Sequence, residues 1–204
     1  MSGGAMNPRN VRLLLISGAF LAGLALFSSI ILIVGGRNPV SVIMPSAAIG
    51  GPFQLIDQDA KPVSDQDFRG KPLLVFFGFT HCPDICPTEL FEMSEVLRKL
   101  GPDADRVRAL FITVDPERDT PAVMKDYLSS FEPQIRGLTG DPTAIAAVEK
   151  TYRVYAKKVP LDGGNYTMDH SAVLYLMDKN GRFVAPFNIK RPPEIAAADL
   201  RRYF

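Results

Sequence analysis

Two cysteines and two histidines carry nearly all the soft-ligand chemistry open to this 204-residue chain. Both cysteines and one histidine fall in one run, FGFTHCPDICP, from Phe77 to Pro87. No residue besides Cys82 and Cys86 can form a thiolate. The pair could be a redox switch, a metal site or two small apolar residues in a core. A four-residue step spans about one helical turn and keeps the sulfurs within reach of each other. A disulfide needs Cα atoms about 4.4–6.8 Å apart, which this spacing allows. It leaves room for an ion as well, so spacing alone does not choose. The second histidine, His170 in TMDHS, lies 84 positions beyond Cys86. Two thiolates and one imidazole form a soft, three-coordinate set. That set suits Cu(I), and Cu(II) when a weak fourth ligand or water joins. Zinc prefers four ligands in structural sites, which argues against it.

These residues need elements that bring them together. Leu73 to Phe79 is almost continuously apolar, as in a strand buried on both faces. The cysteine motif follows at once, and from Pro87 the apolar residues Leu90, Met93, Val96, Leu97 and Leu100 keep helical spacing. Cys82 and Cys86 therefore lie in the crevice beyond a strand's carboxyl end, where open α/β sheets bind ligands. A helix N-terminus there favours thiolate over thiol and predicts a depressed pKa for at least one cysteine. Residues 107–114 form a second buried strand. Thr120-Pro121 and Asp141-Pro142 each read as a cap followed by proline at the first helical position. A strand over 171–177, a turn at 178–181, a returning strand over 183–187 and a helix over 193–204 complete the chain. Gly51 to Asp57 suggests a short edge strand. His170 then sits at the mouth of strand 171–177, and residues 157–166 read as a flexible connection. This order implies an α/β fold: a mostly parallel sheet with a late antiparallel hairpin, flanked by helices. A cysteine pair at the first strand–helix junction makes it look like the thioredoxin fold, although redox motifs of that fold use two intervening residues.

The segment from Leu13 to Val34 holds no charge over 22 residues. At 1.5 Å per residue it reaches roughly 33 Å, enough to span a bilayer. A cleaved signal peptide would have a shorter apolar run and a nearer small-residue site. Arg9 and Arg12 precede the segment, favouring a cytoplasmic N-terminus. The expected organisation is a cytoplasmic arm at 1–12, a transmembrane anchor at 13–34, a linker at 35–50 and one domain at 51–204. A bacterial inner membrane is implied, crossed once, with the domain in the periplasm. The 23 basic and 22 acidic residues nearly cancel and are interleaved, so no nucleic-acid partner is expected. A peroxidase pattern, Pro-x-x-x-Thr-x-x-Cys, is absent, because Thr80 stands only two residues before Cys82.

FGFTHCPDICP, VDPERDTP (Val114 to Pro121) and DHS (Asp169 to Ser171), in this order and over about residues 50–204, resemble the Sco/SenC family. The resemblance implies a thioredoxin-like, copper-binding assembly factor of cytochrome c oxidase. It implies Cys82, Cys86 and His170 as copper ligands, with copper delivered to the dinuclear site of subunit II. The alternative it offers is a thiol–disulfide oxidoreductase that reduces the cysteines of that site, with Cys82 and Cys86 as the redox-active disulfide. A periplasmic copper donor and a thiol reductant are further partners this would need. Phe79 and Ile85 stand where such motifs often have Tyr and Val. Asp84, at the helix start, and Asp169, beside His170, are expected behind the ligands, where neighbours orient them. His81 is not expected to share the site, since adjacent side chains diverge. The DPERDT run reads as a solvated loop and helix cap close to the same crevice.

Overall fold

The computed structural model describes residues 17–29 and 49–204. The chain divides into two units, Met1–Ser46 and Ala47–Phe204. In the first, residues 17–29 are an exposed helix, α1. The rest of the expected anchor and nearly all of the linker lie outside the described residues. Among the described residues, no helix is long and apolar enough to cross a membrane.

The second unit is built on a seven-stranded mixed sheet. Its strands are β1 (Gln54–Asp57), β2 (Pro62–Ser64), β3 (Leu73–Gly78), β4 (Arg108–Thr113), β5 (Ile135–Thr139), β8 (Leu174–Met177) and β9 (Phe183–Pro186), in the order β2-β1-β5-β4-β3-β8-β9. Only β3–β4 and β4–β5 pair in parallel; the other neighbours are antiparallel. The sheet is thus less parallel than the strand–helix alternation implied. The difference lies in β1, which pairs antiparallel with both β2 and β5. β1 folds back on β2, so it is not the edge, and β5 was hidden in Ile-Arg-Gly-Leu-Thr, whose Arg and Gly break the apolar run.

β3 is buried along its whole length. Phe77 meets Tyr152 and Tyr175 on one face. Phe76 and Gly78, on the opposite face by the two-residue period of a strand, meet Phe111 and Cys86. Fully burying each phenylalanine contributes about 1.5–3 kcal/mol. The helices of this unit are α2 (Ile85–Leu100), α3 (Pro121–Leu128), α4 (Pro142–Tyr152) and α5 (Pro193–Leu200). α2 buries Leu90, Met93, Val96, Leu97 and Leu100, and Gly101 ends it at φ 59°, which a side chain would resist. The two proline-led helices begin as the sequence reading expects. Thr120 accepts from the Val123 amide, and Asp141 accepts from those of Thr143 and Ala144.

One region departs from expectation. β6 (Ala156–Pro160) and β7 (Tyr166–His170) form a separate antiparallel hairpin. Residues 157–166 are therefore largely strand and turn, not a flexible connection. His170 ends β7, and the next sheet strand starts only at Leu174, not at 171. The alternation that marks a half-buried strand is weak in Ala-Lys-Lys-Val-Pro, because both faces of this small hairpin are largely open to water.

Candidate metal centre

The sulfurs of Cys82 and Cys86 and one ring nitrogen of His170 lie within 4.8 Å of one another. Three elements bring them together: the loop after β3, the first turn of α2 and the end of β7. The Cys86 amide donates to Cys82 Sγ at 3.4 Å, and the Cys82 amide donates to the Phe79 carbonyl at 3.2 Å. The Cys82 sulfur thereby takes the capping place usually held by a Ser or Asp oxygen, satisfying one orphan amide of α2. Pro87 falls in the first turn, where its missing N–H does no harm.

Cys86 Sγ is 3.6 Å from His170 Nε2. The other ring nitrogen, Nδ1, is 3.2 Å from the Ser171 carbonyl, which can only accept. That contact fixes the proton on Nδ1 and leaves the Nε2 lone pair aimed at the sulfurs. The imidazole stands edge-on to Phe79, with ring centres 5.7 Å apart, and close to Phe76 at 6.5 Å. Burial holds its pKa below the ordinary histidine value, which keeps it a neutral ligand. Both cysteines are free; Cys86 is fully buried and Cys82 partly so. Burial pushes the Cys86 thiol well above its ordinary range. The helix N-terminus was expected to depress a thiol here, and at Cys86 desolvation outweighs it.

Gly78 makes the position of Cys86 possible. A Cβ on Gly78 would lie 2.7 Å from Cys86 Sγ and 2.7 Å from the Phe111 ring. A glycine inside an apolar strand is the sequence signal for such close approach.

The expected supporting residues fare unevenly. Asp84 is the N-cap residue of α2, but its side chain makes no capping hydrogen bond and is exposed. Asp169 is exposed beside His170, and its charge raises the histidine pKa only as a lesser influence after burial and the Ser171 contact. His81 turns away from the sulfurs: its Nδ1 lies 3.1 Å from Thr80 Oγ1 and 3.9 Å from Asp119 Oδ1.

The 115–120 loop does more than cap a helix. Asp119 is fully buried. It accepts from the Thr80 amide at 3.1 Å and from the hydroxyls of Thr80 and Thr113 at 2.6 Å each. Burial raises its pKa, opposed by these three donors. The carboxyl therefore ties the end of β4 to the residue two before Cys82. Asp115, also buried, accepts from Arg118 Nε and from the Tyr166 hydroxyl at 2.9 Å. Arg118 Nη1 donates to the Tyr166 carbonyl at 3.0 Å, and its guanidinium lies 3.8 Å from the Tyr166 ring centre. On the surface, Lys158 pairs with Glu117 at 2.7 Å. Asp115, Arg118 and Tyr166 thus clamp the hairpin that carries His170. Nothing in the residue types of DPERDT pointed to a partner 48 positions away.

A family model for SCO1/SenC matches residues 43–204. The domain is similar to the structure of Bradyrhizobium japonicum ScoI with copper bound: 68% identity, TM-score 0.76, covering 77% of this chain and all of that one. It also resembles BsSco, a member of the Sco family of cytochrome c oxidase assembly proteins in which a disulfide switch has been identified. That likeness is 26% identity and TM-score 0.61, over 76% of this chain and 92% of BsSco. The mouse (Mus musculus) mitochondrial protein SCO2 homolog is 44% identical over 161 residues, 77% of this chain and 63% of the relative's length. With a family match over most of its length and three donor atoms converging at the first strand–helix junction, this chain belongs to the SCO1/SenC family.

Proposed function

We propose that the protein is a membrane-anchored copper chaperone, holding copper through Cys82, Cys86 and His170 for assembly of the dinuclear copper site on cytochrome c oxidase subunit II. The convergence of two sulfurs and an imidazole nitrogen within 4.8 Å carries this reading. Copper is cargo here. Two thiolates and a neutral imidazole match Cu(I), and a fourth weak ligand or water extends the set to Cu(II). Cys82 is the more accessible sulfur and His170 sits on a hairpin outside the main sheet, so an acceptor can approach from that side. The copper-bound ScoI relative and the oxidase-assembly role of the Sco family support the reading. Residues 13–34 serve as a single-pass anchor in a bacterial inner membrane, with the domain in the periplasm. Asp84 and Asp169 act only on the surroundings of the ligands.

Anaerobic Cu(I) titration of the full chain tests the site. Cys86→Ser and His170→Ala should each lose more than the roughly 10–100-fold that loss of a ligand's supporting partner brings. Affinity equal to wild type in either variant would remove that residue from the site. Alkaline extraction that releases the chain from membranes would remove the anchor.

A thiol reductase is the second reading, favoured by two free cysteines whose sulfurs already neighbour each other and by the disulfide switch of BsSco. Here Cys82 and Cys86 give up two electrons and two protons, forming one S–S bond while a partner disulfide opens to two thiols. The accessible Cys82 makes the first attack and Cys86 resolves the mixed disulfide. Cys86→Ser should then trap a partner through Cys82, while His170→Ala leaves the exchange intact.

A further inference from the structure

At the end of the sheet away from the cysteines, the starts of β4 and β5 border a cleft of about 360 Å3. Arg108 opens β4 and Thr113 closes it. At about 3.3 Å per residue, the cleft lies roughly 17 Å along the strand from Thr113, whose hydroxyl reaches the Asp119 network behind the metal centre. The two sites are separate.

The cleft has an apolar wall of Phe68, Val107 and Leu110, all buried. Its rim carries three cations, Lys71, Arg108 and Arg136, supplied by the segment before β3, by β4 and by β5. Arg136 pairs with Asp57, and Lys71 donates to the Asp105 carbonyl. Each of these contacts uses one donor of a group that has several. Asp105 also lines the cleft, so one carboxylate opposes the cations. With Asp57 set against Arg136, the balance remains one positive charge.

Two of these lining residues each carry a buried polar atom with no hydrogen-bond partner among the described residues: Nε of Arg108 and Oε1 of Gln134. One is a charged donor and the other a neutral acceptor. An oxyanion that also carries or adjoins an O–H can satisfy both, accepting from Arg108 and donating to Gln134. A carboxylate or sulfate at neutral pH supplies only the first. Inorganic phosphate supplies both near neutral pH, because its mono- and dianion each keep an O–H; a phosphate monoester, with a second pKa of about 6, supplies the O–H from a hydroxyl on its organic body. An anionic lipid headgroup with a free hydroxyl supplies them as well. The volume exceeds what a phosphate needs and leaves space for a small organic body on the apolar wall.

We propose that this cleft binds a phosphoryl group bearing or adjoining a hydroxyl, through Arg108, Lys71 and Gln134. The test is an amide NMR titration of the full 204-residue chain at constant ionic strength. Probes are inorganic phosphate, sulfate, and soluble short-chain phosphatidylglycerol against phosphatidylcholine. Saturating shifts at Phe68, Arg108 and Gln134 are expected. Phosphate should bind several-fold tighter than sulfate, and Arg108→Gln should weaken binding roughly tenfold or more, the weight of one charge-assisted hydrogen bond. Lys71→Gln, on the rim, should weaken it by less and serves if Arg108→Gln does not fold. Saturation by inorganic phosphate assigns a free phosphate or monoester; saturation by phosphatidylglycerol alone assigns a headgroup. No saturating shift with either, a sulfate response equal to phosphate, or unchanged binding in both variants overturns the proposal.

Discussion

The cysteine pair derives its character from one atom it does not meet. Gly78 has no Cβ, and Cys86 Sγ occupies the space where one would stand. Gly78→Ala must push either the sulfur or the Phe111 ring, both inside a packed core. Overpacking of this kind costs about 1–3 kcal/mol and moves side chains off their rotamers. Gly78→Ala should therefore remain folded by circular dichroism yet bind Cu(I) more weakly; wild-type affinity would show that the sulfur has room to shift. Protonation adds a second expectation. Burial raises the Cys86 pKa, so its proton is held until metal displaces it, whereas His170 is already neutral near pH 7. Copper affinity should then rise with pH, with Cys86 alone giving a slope of about one logarithmic unit per pH unit between pH 6 and 8. A flat profile in a proton-release titration would contradict it. The three donors were legible in the sequence because cysteine is scarce here and His170 lies within the third recognisable motif. The raised thiol was not, because a helix N-terminus is visible in a sequence and depth of burial is not.

Elements position these residues, and here the sequence was a poorer guide. Strands β3 and β4 and helices α2 to α4 were readable, since continuous apolar runs and Thr-Pro or Asp-Pro starts have direct physical meaning. The β6–β7 hairpin was not, because its strands pair mainly with each other and bury little. Besides the packing of Ala156, Met168 and His170 on the core, it is held against the domain by the clamp on Tyr166, an interaction between distant residues that no local pattern encodes. Arg118 contributes two hydrogen bonds and a guanidinium stacked on the ring, and the stacking alone is worth about 0.5–2 kcal/mol. Arg118→Ala should loosen the hairpin and free His170. Hydrogen exchange at the amides of β7 should speed up, and copper affinity should fall by roughly 10–100-fold, as when a ligand loses its support. Arg118→Lys should restore little, since an ammonium can neither fork between two acceptors nor stack as a plane. Exchange rates unchanged in Arg118→Ala would show that the hairpin holds itself. Glu117→Gln makes a control: it removes the exposed, salt-screened pair with Lys158, worth at most about 1 kcal/mol, and leaves both cations on the Tyr166 ring.

On the scale of the whole domain, stability rests on the buried sheet, and a titrating group on α4 should make it depend on pH. Glu149 lies half-buried in α4, and burial alone pushes its carboxyl up to about 7. In the unfolded chain the same carboxyl keeps the ordinary glutamate range, near 4.3. An acid raised on folding binds its proton more tightly in the native state. The native state is therefore at no disadvantage below the ordinary range, loses stability as pH rises from there through about 7, and levels off above. Glu149→Gln keeps the shape and removes the charge. It should leave stability nearly unchanged near pH 4 and raise it at pH 8. The gain should be about 1–2 kcal/mol, less than the full shift implies because the carboxyl keeps some access to water. For a domain of this size that corresponds to roughly 3–6 °C in Tm. Denaturant melts of wild type and Glu149→Gln at the two pH values measure the difference directly. A gain of equal size at both would trace the effect to packing, and no gain at pH 8 would show that the charged carboxylate finds water without unfolding anything.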